Sequence, residues 1–96
     1  MQLVIRGEAE EDIAEAALWY ETRSPGLGDT FLEAVKSAQR AIGLHPLLHS
    51  VVYRDLRRAP LRKFPYAMFY RIVDRQAVVV ACFHGQRDPR AWQARR

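Results

Sequence analysis

From Ala9 onward the apolar positions recur at helical spacing. Ala9, Ile13, Ala16, Ala17 and Tyr20 fall at i, i+4, i+7, i+8 and i+11, the stripe of a helix with one buried face. Glu8, Glu10, Glu11 and Asp12 load the first turn, where carboxylates complement the positive end of the helix dipole. The helix must stop by Ser24, because Pro25 disfavours the helical region for the residue before it. Pro25-Gly26 then makes a tight turn and Gly28-Asp29 opens a second helix. Its stripe is Phe31, Val35, Ala38 and Ile42, and Gly43 and Pro46 supply the stop. So short a connection makes the two helices an antiparallel hairpin.

The period changes on either side of the hairpin. Gln2–Arg6 reads as a short edge-like strand. Val51–Tyr53 is a short extended piece, and Leu56–Arg62 alternates weakly, with Pro60 marking an edge or a bulge. Tyr66–Val73 and Ala77–His84 are β-branched and aromatic strands joined across Asp74-Arg75-Gln76, a hairpin connection. Arg90–Arg96 is a basic tail carrying Trp92, with room for a final helical turn. The order β-α-α-β-β-β predicts an α+β fold, a helix hairpin packed on one face of a small, mainly antiparallel sheet. The other face is then expected to lie free for a partner.

Length and composition narrow the class. Ninety-six residues make one expected domain spanning 1–96, burying roughly 60–70% of its unfolded surface. The longest apolar run, Ala77–Phe83, is too short for a bilayer, and Met1–Arg6 has no apolar signal core. A lone Cys82 excludes an internal disulfide and fits a reducing cytoplasm.

Charge is divided along the chain. Residues 1–48 hold four basic and eight acidic groups, a net charge of −4. Residues 49–96 hold eleven basic and three acidic groups, a net charge of +8, and thirteen of all fifteen basic residues are arginine. Arginine suits bidentate contacts to carboxylate or phosphate, although it also serves as ordinary surface charge. Several chemistries drop out. His45, His49, His84 and Cys82 have no metal-ligand spacing, no glycine-rich phosphate loop joins a strand to a helix, and no serine sits in a nucleophile elbow. Neither helix is basic enough to read DNA. No cofactor is expected.

The ordered motifs resemble the RelE/ParE superfamily of type II toxin–antitoxin toxins, the ParE-like branch in particular, which includes plasmid stabilisation proteins. Ala9-Glu10-Glu11-Asp12-Ile13 and Trp19-Tyr20-Glu21 match in the first helix, and Pro25-Gly26-Leu27-Gly28 with Phe31-Leu32 in the second. Arg57-Arg58, Arg62-Lys63-Phe64-Pro65-Tyr66, Phe69-Tyr70, Val80-Ala81-Cys82-Phe83-His84, Arg87-Asp88-Pro89 and Trp92 follow in order. The resemblance implies a small cytoplasmic growth inhibitor, restrained by an antitoxin that wraps around it with an acidic, partly disordered segment. It would meet operator DNA only through the antitoxin complex, and no membrane. ParE-like members poison DNA gyrase and RelE-like members cleave messenger RNA on the ribosome; a toxin-like module that is inert, kept for partner binding and autoregulation, is a third reading.

A metal-free ribonuclease needs a base, an acid and cations at one phosphate. His84 is a group of the basic half poised near pH 7, Arg62, Arg71 and Arg87 are candidate clamps, and Tyr66 or Tyr70 can stack a base. The catalytic set under that reading is His84, Arg62 and Arg87. The tail lacks the terminal His/Tyr or Tyr/Lys cluster of several nuclease members, which leaves one proton shuttle for two roles and favours the gyrase reading. The competing role of His84 is to anchor the Gly85–Asp88 loop. The candidate binding residues are Arg57, Arg58, Arg62, Tyr66, Tyr70, Arg71, Arg87, Arg90 and Trp92. Phe69 is expected in the core, and Trp19 and Tyr20 are expected to seal the helix hairpin.

Overall fold

The computed structural model describes Met1–Arg96. The elements run β1 (Gln2–Ile5), α1 (Gly7–Arg23), α2 (Leu27–Leu44), β2 (Val51–Tyr53), β3 (Leu56–Pro60), β4 (Tyr66–Val73), β5 (Gln76–His84) and α3 (Pro89–Gln93). The five strands form one sheet in the order β1-β5-β4-β3-β2. β1 lies parallel to β5 and every other pairing is antiparallel. The expected α+β architecture is present, with Val51–Tyr53 a fifth strand on the sheet edge. No helix is long and apolar enough to cross a membrane.

The helix stripes explain the first layer. Ala9, Ile13, Ala16 and Ala17 of α1 and Phe31, Val35 and Ile42 of α2 bury with Met68, Tyr70, Ala77, Val79 and Cys82 of the sheet. Small residues on α1 let the hairpin lie close, and Tyr20 stacks on Phe31 with centroids 5.4 Å apart. Trp19 does not help to seal it: the side chain is 49% exposed, because it sits one position off the stripe.

The β4–β5 hairpin turns at Asp74 and Arg75, both with positive φ (50° and 63°), the left-handed pair whose twist matches two-residue hairpins. Further along, Phe69 pairs with Ala81 and Tyr70 with Val79. Val80 is therefore an extra residue, a β-bulge. Val80 and Ala81 consequently both join the opposite face of the sheet.

That opposite face is not left free. Leu56, Ala67, Phe69, Val80, Ala81 and Phe83 form a second core with Trp92 of α3. Phe69 is buried as expected, and Trp92 stacks on it at 4.4 Å with rings 11° apart. Two phenylalanines on one sheet face present too much apolar surface to leave to water, so the C-terminal tail folds back over them.

Candidate functional site

β1 is shorter than β5. Their last paired residues are Ile5 and Val79, after which the chain turns into α1; beyond Val79, β5 keeps β4 on one side and has no strand on the other. Side chains take over the exposed backbone there. The Cys82 N–H donates to Asp12 Oδ2 at 3.0 Å, and the Val80 carbonyl accepts from Arg95 Nη1 at 2.9 Å. Arg95 also grips Asp12 with both terminal nitrogens, at 3.0 and 3.1 Å. The Arg95 carbonyl accepts from Arg6 Nη1 at 2.8 Å. A clasp of Asp12 and Arg95 thus ties the tail, α1 and β5 together.

Beside the clasp, a cleft of about 510 Å³ opens between α1 and the ends of β4 and β5. Asp12, Glu15 and Trp19 line the helix wall, and Tyr66, His84 and Arg87 the strand wall. Tyr66 and His84 are a cross-strand pair with rings 5.4 Å apart. The Gln86 N–H donates to His84 Nδ1 at 3.0 Å, so a neutral ring carries its proton on Nε2. Gly85 N–H donates to the Pro65 carbonyl at 2.7 Å, and Arg87 N–H to the His84 carbonyl at 3.0 Å. His84 therefore performs the loop-anchoring role, with one nitrogen to spare. The Arg87 guanidinium rests 4.2 Å from the Phe83 ring centroid.

The protonation states follow from the surroundings. Burial, with Asp12 nearby, pushes the Cys82 thiol up to about 12, so it is no nucleophile at neutral pH. Burial also raises the Tyr66 hydroxyl, with the charge of Glu15 among the further causes and Arg87 opposing them.

The predicted binding residues divide sharply. Arg57 donates to the Leu47 and His49 carbonyls, at 3.2 and 2.7 Å, holding the α2–β2 loop. Arg71 is paired with Asp55 at 2.9 Å, and Arg96 with the same carboxylate at 2.6 Å. Tyr70 is completely buried, its hydroxyl donating to the Pro46 carbonyl at 2.6 Å. It has no face for a base. Trp92 is likewise packing, not surface. Arg90 pairs with Asp88 at 2.7 Å, while Asp88 caps α3 by accepting the Arg90 N–H at 2.9 Å.

Arg58, Arg62 and Arg87 remain as cations with no acceptor in the fold, and only one of them reaches the cleft. Arg87 lines the cleft. Arg58 sits on β3 opposite Phe69, beneath Gly85, where an added Cβ would lie 3.7 Å from its Nη2. Arg62 is exposed in the β3–β4 connection and lines no part of the cleft. Sequence reasoning missed Glu15 and Trp19. Asp12, Glu15 and Trp19 stand at i, i+3 and i+7, one helix face beside the apolar stripe, and that spacing was the available signal.

Comparison with known proteins gives a family and two solved structures of similar fold. Residues 3–89 match the family described as the ParE toxin of the type II toxin–antitoxin system parDE. A chain of the chromosomal ParDE toxin–antitoxin system from P. aeruginosa superposes with a TM-score of 0.65 at 13% identity, covering 88% of this chain and 95% of that one. A chain of the RelBE2 toxin–antitoxin complex from Mycobacterium tuberculosis gives 0.63 at 20% identity, with coverage of 86% and 95%. No curated protein matches.

Proposed function

The chain belongs to the ParE toxin family of type II toxin–antitoxin systems, and from that premise we propose that it arrests growth by binding DNA gyrase without catalysis. On this reading 1–96 is one toxin domain acting in the cytoplasm, neutralised by a cognate antitoxin. It contacts operator DNA only through that complex. The similar folds come from a ParDE toxin–antitoxin system and a RelBE2 toxin–antitoxin complex, which supports the antitoxin as partner.

The observation that carries the non-catalytic reading is the dispersal of the nuclease set. Cleavage needs a base, an acid and cations converging on one phosphate. His84 and Arg87 share the cleft, but Arg62 stands outside it, and His84 Nδ1 is committed to Gln86. The Cys82 thiol and the Tyr66 hydroxyl both keep their protons at neutral pH, so neither supplies the base. Cations so arranged can grip a partner.

The test is to induce the chain alone in bacteria and follow DNA, RNA and protein synthesis separately over the first minutes. Early arrest of DNA synthesis with a DNA-damage response is expected, together with inhibition of purified gyrase. Early loss of translation with cut transcripts would overturn the mechanism in favour of a ribosome-dependent endonuclease. One observation favours that second reading: Glu15 lines the same cleft as His84, a second group able to carry a proton. His84→Ala separates the two, since toxicity persists under the gyrase reading and disappears under the nuclease one.

A further inference from the structure

The cleft beside α1 holds polar groups that the fold itself does not use. Asp12 is spent on Arg95 and the Cys82 N–H. Glu15, one turn further along the same wall, is exposed and has no ion-pair partner. Opposite it, Arg87 lies on the Phe83 ring with no carboxylate beside it, and His84 has a ring nitrogen free. The Tyr66 hydroxyl stands within electrostatic reach of both Glu15 and Arg87. The site is bipolar, with an acceptor on the helix wall, donors on the strand wall, and the half-exposed Trp19 ring at its rim.

We propose that this cleft receives a pair of oppositely charged side chains from the antitoxin, a carboxylate on Arg87 and His84 and a neighbouring cation on Glu15. The inference rests on the toxin reading above and names where that partner engages. Size permits it: about 510 Å³ lies within the range of ligand-sized pockets. Charge supports it further. A nucleic-acid backbone entering here would lie against Glu15, with Glu8 and Glu11 on the same helix, whereas a bipolar side-chain pair satisfies both walls. Partial closure strengthens each contact relative to an open surface.

The experiment is titration of the full chain with its cognate antitoxin, using wild type, Glu15→Gln, Arg87→Ala and Glu33→Gln. Thermal melts confirm that each variant is folded. Glu15→Gln and Arg87→Ala should each weaken binding about tenfold or more, and Glu33→Gln, on an exposed face of α2, should bind as wild type does. Affinities within twofold of wild type for both cleft variants would overturn the cleft assignment while leaving the toxin reading intact. A folded wild-type chain that binds no antitoxin would overturn that reading, and the inference with it. A parallel NMR titration uses the ribotrinucleotide UpApG as probe. Saturable shifts at Glu15, His84 and Arg87 with that probe, absent with antitoxin, would overturn the proposal in favour of RNA.

Discussion

Tyr70 is among the largest fully buried side chains of the molecule, and its hydroxyl is what makes that burial tolerable. The O–H donates to the Pro46 carbonyl at 2.6 Å, and the same oxygen lies 3.2 Å from His49 Nδ1. With its proton given to Pro46, the phenol oxygen accepts from a His49 Nδ1–H. Tyr70→Phe keeps the ring but strands the carbonyl, and should cost about 1–2 kcal/mol, read from urea denaturation midpoints. His49 carries a pH dependence of its own. Burial, then the Arg57 charge, lowers its pKa below the ordinary 6.5. The unfolded chain therefore binds the proton more readily, so this contribution is fully present above pH 6.5 and lost as pH falls through the folded value. Stability should decline as pH falls below the ordinary 6.5 of a free histidine, and His49→Gln should flatten that part of the profile. In the sequence, Tyr66 and Tyr70 are equivalent by period, four apart on one strand and so on one face. Only the position along the strand separates them: Tyr70 lies beneath the α2–β2 loop, while Tyr66 reaches the cleft.

At the scale of elements, the helix hairpin is fixed by an acid and a missing side chain. Glu21, near the end of α1, accepts the N–H groups of Gly26 and Gly28 at 3.0–3.1 Å, supplying the otherwise absent side-chain cap of α2. Gly28 allows the close approach: a Cβ there would lie 2.8 Å from the Ala17 carbonyl and 2.9 Å from Glu21 Oε1. Gly28→Ala should therefore push the helices apart and cost about 1–3 kcal/mol, despite the better helix propensity of alanine. Circular dichroism melts would show it, and an unchanged midpoint would mean that the hairpin shifts freely. Both helices and the two long strands were legible because their periods are long and clean. The bulge at Val80 was not. It lies within Ala77–Phe83, an apolar run without alternation, where one extra residue leaves no mark. The clasp was hidden for the same reason, since it repairs an edge that exists only because β1 stops at Ile5.

For the whole molecule, the sheet has two cores, and the second depends on the tail. Charge asymmetry made the basic half look like one interaction surface. Much of that charge instead fastens the chain to itself, through Arg57 on the α2–β2 loop, Arg71 and Arg96 on Asp55, and Arg95 on Asp12. Composition reports how many arginines there are and not which find carboxylates, because Asp12 and Arg95 are 83 positions apart. Acid should loosen this fastening. Burial alone would raise the Asp55 pKa, but hydrogen bonds and charge from Arg96 and Arg71 lower it overall. Its contribution is thus present above the ordinary carboxylate range and lost as pH falls through the folded value.

The tail also changes how a toxicity experiment must be read. Deleting Trp92–Arg96 would uncover Phe69 and Phe83, take Arg95 from Asp12 and leave Asp55 with Arg71 alone, so a loss of toxicity would report unfolding before it reported a lost target contact. Trp92→Ala alone should cost about 3–5 kcal/mol, a large part of the 5–15 kcal/mol typical of a domain. Trp92→Phe, which keeps a ring over Phe69, should cost less. If the tail acts through the fold, toxicity will follow thermal stability: weakened for Trp92→Ala at 37 °C, restored on growth at lower temperature, and kept throughout by Trp92→Phe. A folded Trp92→Ala protein, with a wild-type melting curve but no toxicity at any temperature, would instead make the indole a direct contact with the target.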